Sequence, residues 1–155
     1  MLRLATPSDL SFIRALWRRP GNEMFLAPEE AGELEEALEY DHLVIWERAG
    51  APLGFALLTR WVLGSYAVSA LAITAPGQGE GTRFLAALLD WLFAEPEAHR
   101  IALDTTVDNG PALRLFEKLG FQREGLYREC WKRPDGRRVD CVALAILRRE
   151  WQGHG

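Results

Sequence analysis

Cysteine is nearly missing from this chain. The 155 residues hold two, Cys130 and Cys141, and neither stands at metal-ligand spacing. That excludes a disulfide-stapled scaffold and a zinc site, and no metal is expected. Long apolar runs are missing too: none reaches the roughly 18 to 20 residues of a membrane span. Met1 to Pro7 lacks the basic-then-apolar layout of a signal peptide. Basic charge is not in excess, since 18 Lys and Arg meet 22 Asp and Glu for a net charge of −4. A nucleic-acid partner needs a basic footprint, so none is expected. There are no repeats, low-complexity stretches or linkers. These absences point to a cytoplasmic globular chain with no membrane partner. One domain is expected over residues 1–150, with a tail at 151–155.

Charge is unevenly spread. Eight carboxylates and no Lys or Arg lie between Glu23 and Asp41, whereas Arg123 to Glu150 has eight basic residues against five acidic ones. The acidic stretch reads as a solvated helix face, or as a field that draws cationic molecules in.

Periodicity gives the element order. Leu2 to Ala5 is a short strand. Thr6, Pro7 and Asp9 then open a helix through capping, a dispensable N–H and the helix dipole. Leu10, Ile13, Leu16 and Trp17 share one face of it. A second, acidic helix is expected from near Pro28 to about Leu38. Strands follow at His42 to Glu47, Leu53 to Thr59 and Tyr66 to Thr74. A helix over Gly81 to Phe93, a strand over Arg100 to Thr105 and a helix over Gly110 to Leu119 come next, the last closed by Gly120. Two strands, about Phe121 to Trp131 and Val139 to Leu147, end the chain. This order predicts an α/β (α+β) fold: a mixed sheet of six to seven strands flanked by about four helices.

The strongest local signal is Ala75-Pro76-Gly77-Gln78-Gly79-Glu80-Gly81-Thr82, between a strand and a helix. Alternating glycines allow positive φ and close backbone approach. The helix N-terminus behind them offers unpaired N–H groups, so the loop suits a phosphate or pyrophosphate. The third glycine comes one residue too early for a dinucleotide fingerprint, and no Lys follows Gly81 as in a triphosphatase loop.

A second segment comes after the next strand: Asn109-Gly-Pro-Ala112-Leu-Arg-Leu115-Phe116-Glu-Lys118-Leu-Gly120-Phe121. With it, the chain closely resembles the GNAT family of N-acetyltransferases. That family pairs a Gly-x-Gly-x-Gly loop with an Asn-x-x-Ala-x-x-Leu-Tyr-x-Lys-x-Gly-Phe helix. Glu124-Gly125, Asp135-Gly136 and the two final strands look like the branch that acts on amino acids, polyamines and phosphinothricin-type amines. The resemblance covers nearly the whole chain. It implies acetyl-CoA as donor and a small-molecule amine as acceptor; a protein N-terminal α-amine and a non-catalytic acyl-CoA-binding module are the alternatives. By the same resemblance, the strand Leu71-Ala72-Ile73 holds the pantetheine through backbone groups. Gly77, Gln78, Gly79, Gly81 and Thr82 cradle the pyrophosphate. Asn109 contacts the cofactor arm, while Ala112 and Phe116 line the crevice. Pro76 departs from the family's frequent Arg or Gln, and Phe116 from its general-acid Tyr.

Acetyl transfer needs a neutral amine and a polarised carbonyl. Asp104, five residues before Asn109, is the candidate base; its alternative role is pinning the strand-to-helix loop. Glu23, between the first two helices, is a second candidate. Tyr127 and Tyr66 are candidate acids in place of Phe116. His42, next to the acidic stretch, is expected to be buried and hydrogen-bonded. Trp46 and Trp61 lie near the expected acceptor half and offer faces for a cation, although six Trp are mostly a core feature. A two-residue turn at Asp135-Gly136 would set Cys130 opposite Cys141; two buried thiols are expected. Free sheet edges leave room for a homodimer.

Overall fold

The computed structural model describes residues 1–151. The strands are β1 (Leu2–Leu4), β2 (Leu43–Arg48), β3 (Ala51–Val62), β4 (Ser65–Ile73), β5 (Arg100–Thr106), β6 (Gln122–Lys132) and β7 (Arg138–Leu147). The helices are α1 (Leu10–Trp17), α2 (Glu33–Glu39), α3 (Glu80–Phe93) and α4 (Gly110–Leu119). All seven strands join one mixed sheet in the order β1-β2-β3-β4-β5-β7-β6. Among the described residues only the β4–β5 pair is parallel. Of the expected tail, Trp151 is described and donates its indole N–H to Asp90 at 2.8 Å. Residues 152–155 lie outside the described part.

Helical periodicity explains which faces are buried. α1 turns Ile13, Leu16 and Trp17 inward, and Trp17 stacks on Phe55 of β3 at 5.4 Å. They join Leu34, Leu43, Ile45, Leu57, Ala70 and Ala72 in a cluster on one face of the sheet. α3 buries Phe84, Leu85, Leu88, Leu89 and Leu92 on the other face, against Ile101, Leu103, Val142, Leu144 and Ile146. Gly120 closes α4 at φ +106, where a Cβ would also press on Ile146 at 3.3 Å.

The acidic helix begins at Glu33, not near Pro28. Gly32 takes φ +82, which breaks any helix running in from Pro28. The Glu33 carboxylate then accepts from the Glu30 N–H at 2.9 Å and caps the new start.

The final hairpin also differs from its expected register. Arg133 N–H bonds Arg137 C=O at 2.8 Å. The loop is therefore the three residues Pro134, Asp135 and Gly136, with Gly136 at φ +91. Three-residue loops of this kind end in a left-handed glycine. Further along, Tyr127 pairs with Cys141 and Trp131 with Val139, so β6 bulges between them. Glu129 takes φ +49 in that bulge and donates its N–H to Asp140. Tyr127, not Cys130, stands opposite Cys141. Cys141 is buried, but Cys130 is exposed and both are free.

One irregularity shapes the centre of the sheet. Leu57 pairs with Ala70 but Leu58 with Val68, so Ser69 is an extra residue in β4. Such a bulge bends its strand and re-aims the side chains beyond it. Tyr66 and Val68 pack on the α3 side, whereas Ala70 and Ala72 face α1. β4 and β5 pair only through Ser65, Tyr66 and Ala67 with Arg100, Ile101 and Ala102. Beyond Ala67 the two strands part.

Candidate active site

Where β4 leaves β5, its backbone is free on one edge. Thr74 N–H bonds Leu53 C=O across to β3 at 2.8 Å. Along a strand these groups alternate sides. Ala72 therefore also bonds toward β3, while Leu71 and Ile73 point their N–H and C=O into the gap. Both side chains lean on the α3-side core.

The glycine loop sits at the open end of this gap. Gly77 has φ +85 and Gly79 has φ +77, and neither conformation suits an L side chain. Gly81 lies within α3, where a Cβ would come to 3.4 Å from Leu115. Arg83 N–H closes the first turn on Gly79 C=O at 3.2 Å. The N–H groups of Glu80, Gly81 and Thr82 have no helical partner, as at any helix start. Gln78 is exposed at the tip of the loop.

Sequence reasoning missed a charged network at this loop. Glu80 is 6% exposed. It accepts from the Trp46 indole at 2.8 Å and pairs with Arg48 at 2.6 Å and Arg83 at 3.2 Å. The Trp46 hydrogen bond first, and then the arginines, hold its carboxyl below the usual range against the cost of burial. Arg83 also donates to Gln78 C=O at 2.9 Å, which lays its guanidinium along the loop. The only sequence signal was an Arg in the first turn behind the glycines. Trp46 is thus not an acceptor-side platform: it is buried and stacks on Phe84 at 5.7 Å. Trp61 is not near the gap either, being 74% exposed at the opposite end of β3.

α4 forms the other wall on the α3 side. Asn109 stands at its N-terminal boundary without capping it and donates its side-chain N–H to the Thr105 hydroxyl at 2.9 Å. Ala112 and Phe116 are half-buried, and Phe116 lies 5.9 Å from the Phe121 ring.

Asp104 belongs to the opposite face. Ile101 and Leu103 enter the α3-side core, so alternation turns Asp104 toward the α1 side. Its side chain has an open side, yet surrounding protein strips enough water to push the carboxyl up. Among the described residues no hydrogen bond or ion pair answers it. Cys141, on the same face, is pushed up to about 12 by burial and by its hydrogen bond with Cys130, so it stays a neutral thiol.

The other candidates fall further away. Tyr127 shares this face but stands on the edge strand, two strands from β5, and is 51% exposed. Tyr66 packs on the α3 side, at the paired end of β4 and β5. Glu23 is exposed in a 3₁₀ turn and accepts from the Gly21 N–H at 2.7 Å. His42 is half-buried, and its backbone N–H bonds Ala37 C=O at 2.8 Å. It lines a hollow of about 510 Å³ with Tyr40, Arg60, Tyr66 and Trp91. That hollow lies at the end of β3 and β4 remote from the glycine loop.

A parted β4–β5 pair with a glycine loop at its mouth narrows the comparison to few folds. The sequence matches the Acetyltransferase (GNAT) family over residues 10–121. The chain belongs to the GNAT family. It is similar to an uncharacterized N-acetyltransferase of Bacillus licheniformis, 31% identical over 77 residues, which are 50% of this chain and 43% of that one. It is also similar to an aminoglycoside N(6')-acetyltransferase of Klebsiella pneumoniae, 40% identical over 66 residues, or 43% of this chain and 31% of the relative. In both, the match spans less than half of the relative's length. The GNAT fold extends over nearly all of the chain. A spermidine N-acetyltransferase of Vibrio cholerae, solved with CoA and spermine, superposes with a TM-score of 0.82 at 25% identity. That alignment covers 97% of this chain and 96% of the other.

Proposed function

We propose that this GNAT chain is an acetyl-CoA-dependent N-acetyltransferase that acetylates an amine of a small molecule by direct attack. One observation carries the reading: the parted β4–β5 edge, with a glycine loop and a helix N-terminus at its mouth. Leu71 and Ile73 supply unpaired backbone groups, the loop supplies left-handed glycines, and Arg83 supplies positive charge. Gly77, Gln78, Gly79, Gly81 and Thr82 would hold the pyrophosphate, and Leu71, Ala72 and Ile73 the pantetheine. Asn109, Ala112 and Phe116 would line its path. Acetyl-CoA, when bound, supplies the acetyl group as a thioester. Two of the similar proteins act, by name, on a polyamine and an aminoglycoside, which supports an amine acceptor.

The chain's own groups then have distinct tasks. Backbone N–H groups in the gap polarise the carbonyl as an oxyanion hole does. Asp104, on the opposite face of the gap, takes the proton from the incoming ammonium, directly or through one water. Its raised pKa brings it nearer to that task. Phe116 has no proton to give. Release of a thiolate with a pKa of about 8.5 costs only ~1–2 kcal/mol near neutral pH, so an acid at 116 is dispensable. Cys141, buried and protonated, is no nucleophile.

Thiol release from acetyl-CoA over a panel of amines, including peptides with a free N-terminus, tests the reading. Release with a small amine is expected, and Asp104→Asn should lower kcat and flatten its acid limb. Binding of CoA with no release for any amine would mean a non-catalytic module instead.

A further inference from the structure

At the far end of the Asp104 face stand two N–H donors that no acceptor among the described residues satisfies. Arg133, at the end of β6, is 4% exposed. Its Nη2 donates to Asp108 at 2.6 Å. Its Nε has no acceptor, and neither has the indole Nε1 of Trp131. The strand register puts Trp131 on the face of Asp104, and the contact with Phe25 of the α1–α2 loop puts Arg133 there too. Asp104 pairs with Ala143, Thr106 and Tyr127 with Cys141, and Trp131 with Val139, so all share one side. Arg133 lies two residues past Trp131.

Three segments meet there: the hairpin, the β5–α4 loop through Asp108, and the α1–α2 loop through Phe25. The Phe25 ring covers the Arg133 guanidinium at 5.8 Å from its centroid. Phe25 is itself 44% exposed, so turning it aside uncovers the guanidinium at little cost in buried surface.

Buried donors without acceptors are costly, and a buried cation with one exposed partner is more so. A ligand that brings acceptors removes the cost; one that brings only donors does not. Indole N–H can only donate, and a guanidinium edge fits a carboxylate best. We propose that Arg133 and Trp131 form a subsite for a carboxylate on the acyl acceptor. This rests on the acetyltransferase reading and narrows its substrate class. Asp104 takes the amine end, and the four-residue step along β7 from Ala143 to Val139 spans about 13 Å. Even with long side chains reaching back, the carboxylate lies several bonds from the amine. The acceptor is therefore an ω-amino acid or peptide-like amine, not a bare polyamine.

Three acceptors that differ only at the far end test this: 6-aminohexanoate, 6-aminohexanamide and 1,6-diaminohexane. The carboxylate should show a KM about tenfold below the amide, as one charged hydrogen bond predicts, and the diamine should be poorest. Trp131→Phe keeps an aromatic ring but removes the N–H with the pyrrole half of the indole, so it should raise the carboxylate-to-amide KM ratio toward one. Arg133→Gln should bring that ratio near one, with melting curves checking its fold. A diamine used as well as the carboxylate, or a ratio unmoved in both variants, overturns the subsite and leaves the acetyltransferase reading standing. If no amine releases thiol, that reading fails. Calorimetry of 6-aminohexanoate against the diamine then decides the subsite alone: tighter carboxylate binding that Trp131→Phe weakens supports it, and equal binding overturns it.

Discussion

In the proposed mechanism, Asp104 would link stability to activity in one side chain. Burial raises its pKa in the folded chain, so the fold holds that proton to higher pH than the unfolded chain does. The ionised carboxylate therefore costs stability at neutral pH, and the cost vanishes below the ordinary Asp value of about 3.9. Asp104→Asn should raise the urea midpoint at pH 7, with the gain closing as pH falls below about 4. A loss of stability at pH 7 would mean the carboxylate has a structural partner. Gly79 is the other decisive residue. At φ +77, with Arg83 Nη1 3.4 Å from where a Cβ would sit, Gly79→Val strains the loop and crowds its cation. Acetyl-CoA affinity should fall by at least about tenfold in titration calorimetry, while the far-UV spectrum stays the same. Retained affinity would sink the cradle.

At the scale of elements, the first strand and first helix are pinned together by one arginine. Arg3 donates to Asp9 at 2.8 and 2.9 Å and to Glu47 at 2.8 Å. The Arg3 hydrogen bond holds the Asp9 carboxyl at about 2. A lowered carboxylate contributes stability above its unfolded value, lost as pH falls through the folded one. Asp9→Asn should cost ~2 kcal/mol at pH 7, with the difference from wild type fading between about pH 4 and pH 2. Legibility in the sequence divides along the same line, local against distant. α3 and α4 were legible because apolar spacing and a closing glycine are local facts. The glycine loop was legible because only glycine takes its φ values. The start of α2 was not, since one left-handed Gly32 overrides a run of good helix formers. The Cys130–Cys141 register failed because a three-residue loop and a bulge cannot be told from a two-residue turn by composition. Glu80 with Trp46, and Arg133 with Phe25 and Asp108, join residues far apart in sequence, and no spacing rule reaches them.

At the scale of the whole molecule, the net charge of −4 hides local cancellation. Glu29 is paired by Arg14 and Arg18, and Glu35 by Arg14, so α1 neutralises part of the acidic stretch it faces. The remaining acids near Glu36 and Asp41 are a weaker lure for cations than their number suggests. The sheet itself makes a prediction at this scale. The N–H groups of Leu71 and Ile73 lack strand partners, so they should exchange with solvent faster than those of Ala70 and Ala72. Adding acetyl-CoA should slow them selectively in amide hydrogen exchange. Uniform slowing across β4 would mean general stiffening without seating in the gap.

Ser69 also decides how the molecule carries load. Three residue pairs at one end join the two leaves of the sheet, β1–β4 and β5–β7, like pages on a short spine. Pulled apart from the glycine-loop side, the leaves resist through the shared α3-side packing and, on the other face, the Phe25–Arg133 contact. A molecule seated between them would bolt the open ends together. The donor would then be a structural member as well as a reagent, and the protein would become mechanically stiffest at the moment it is ready to react.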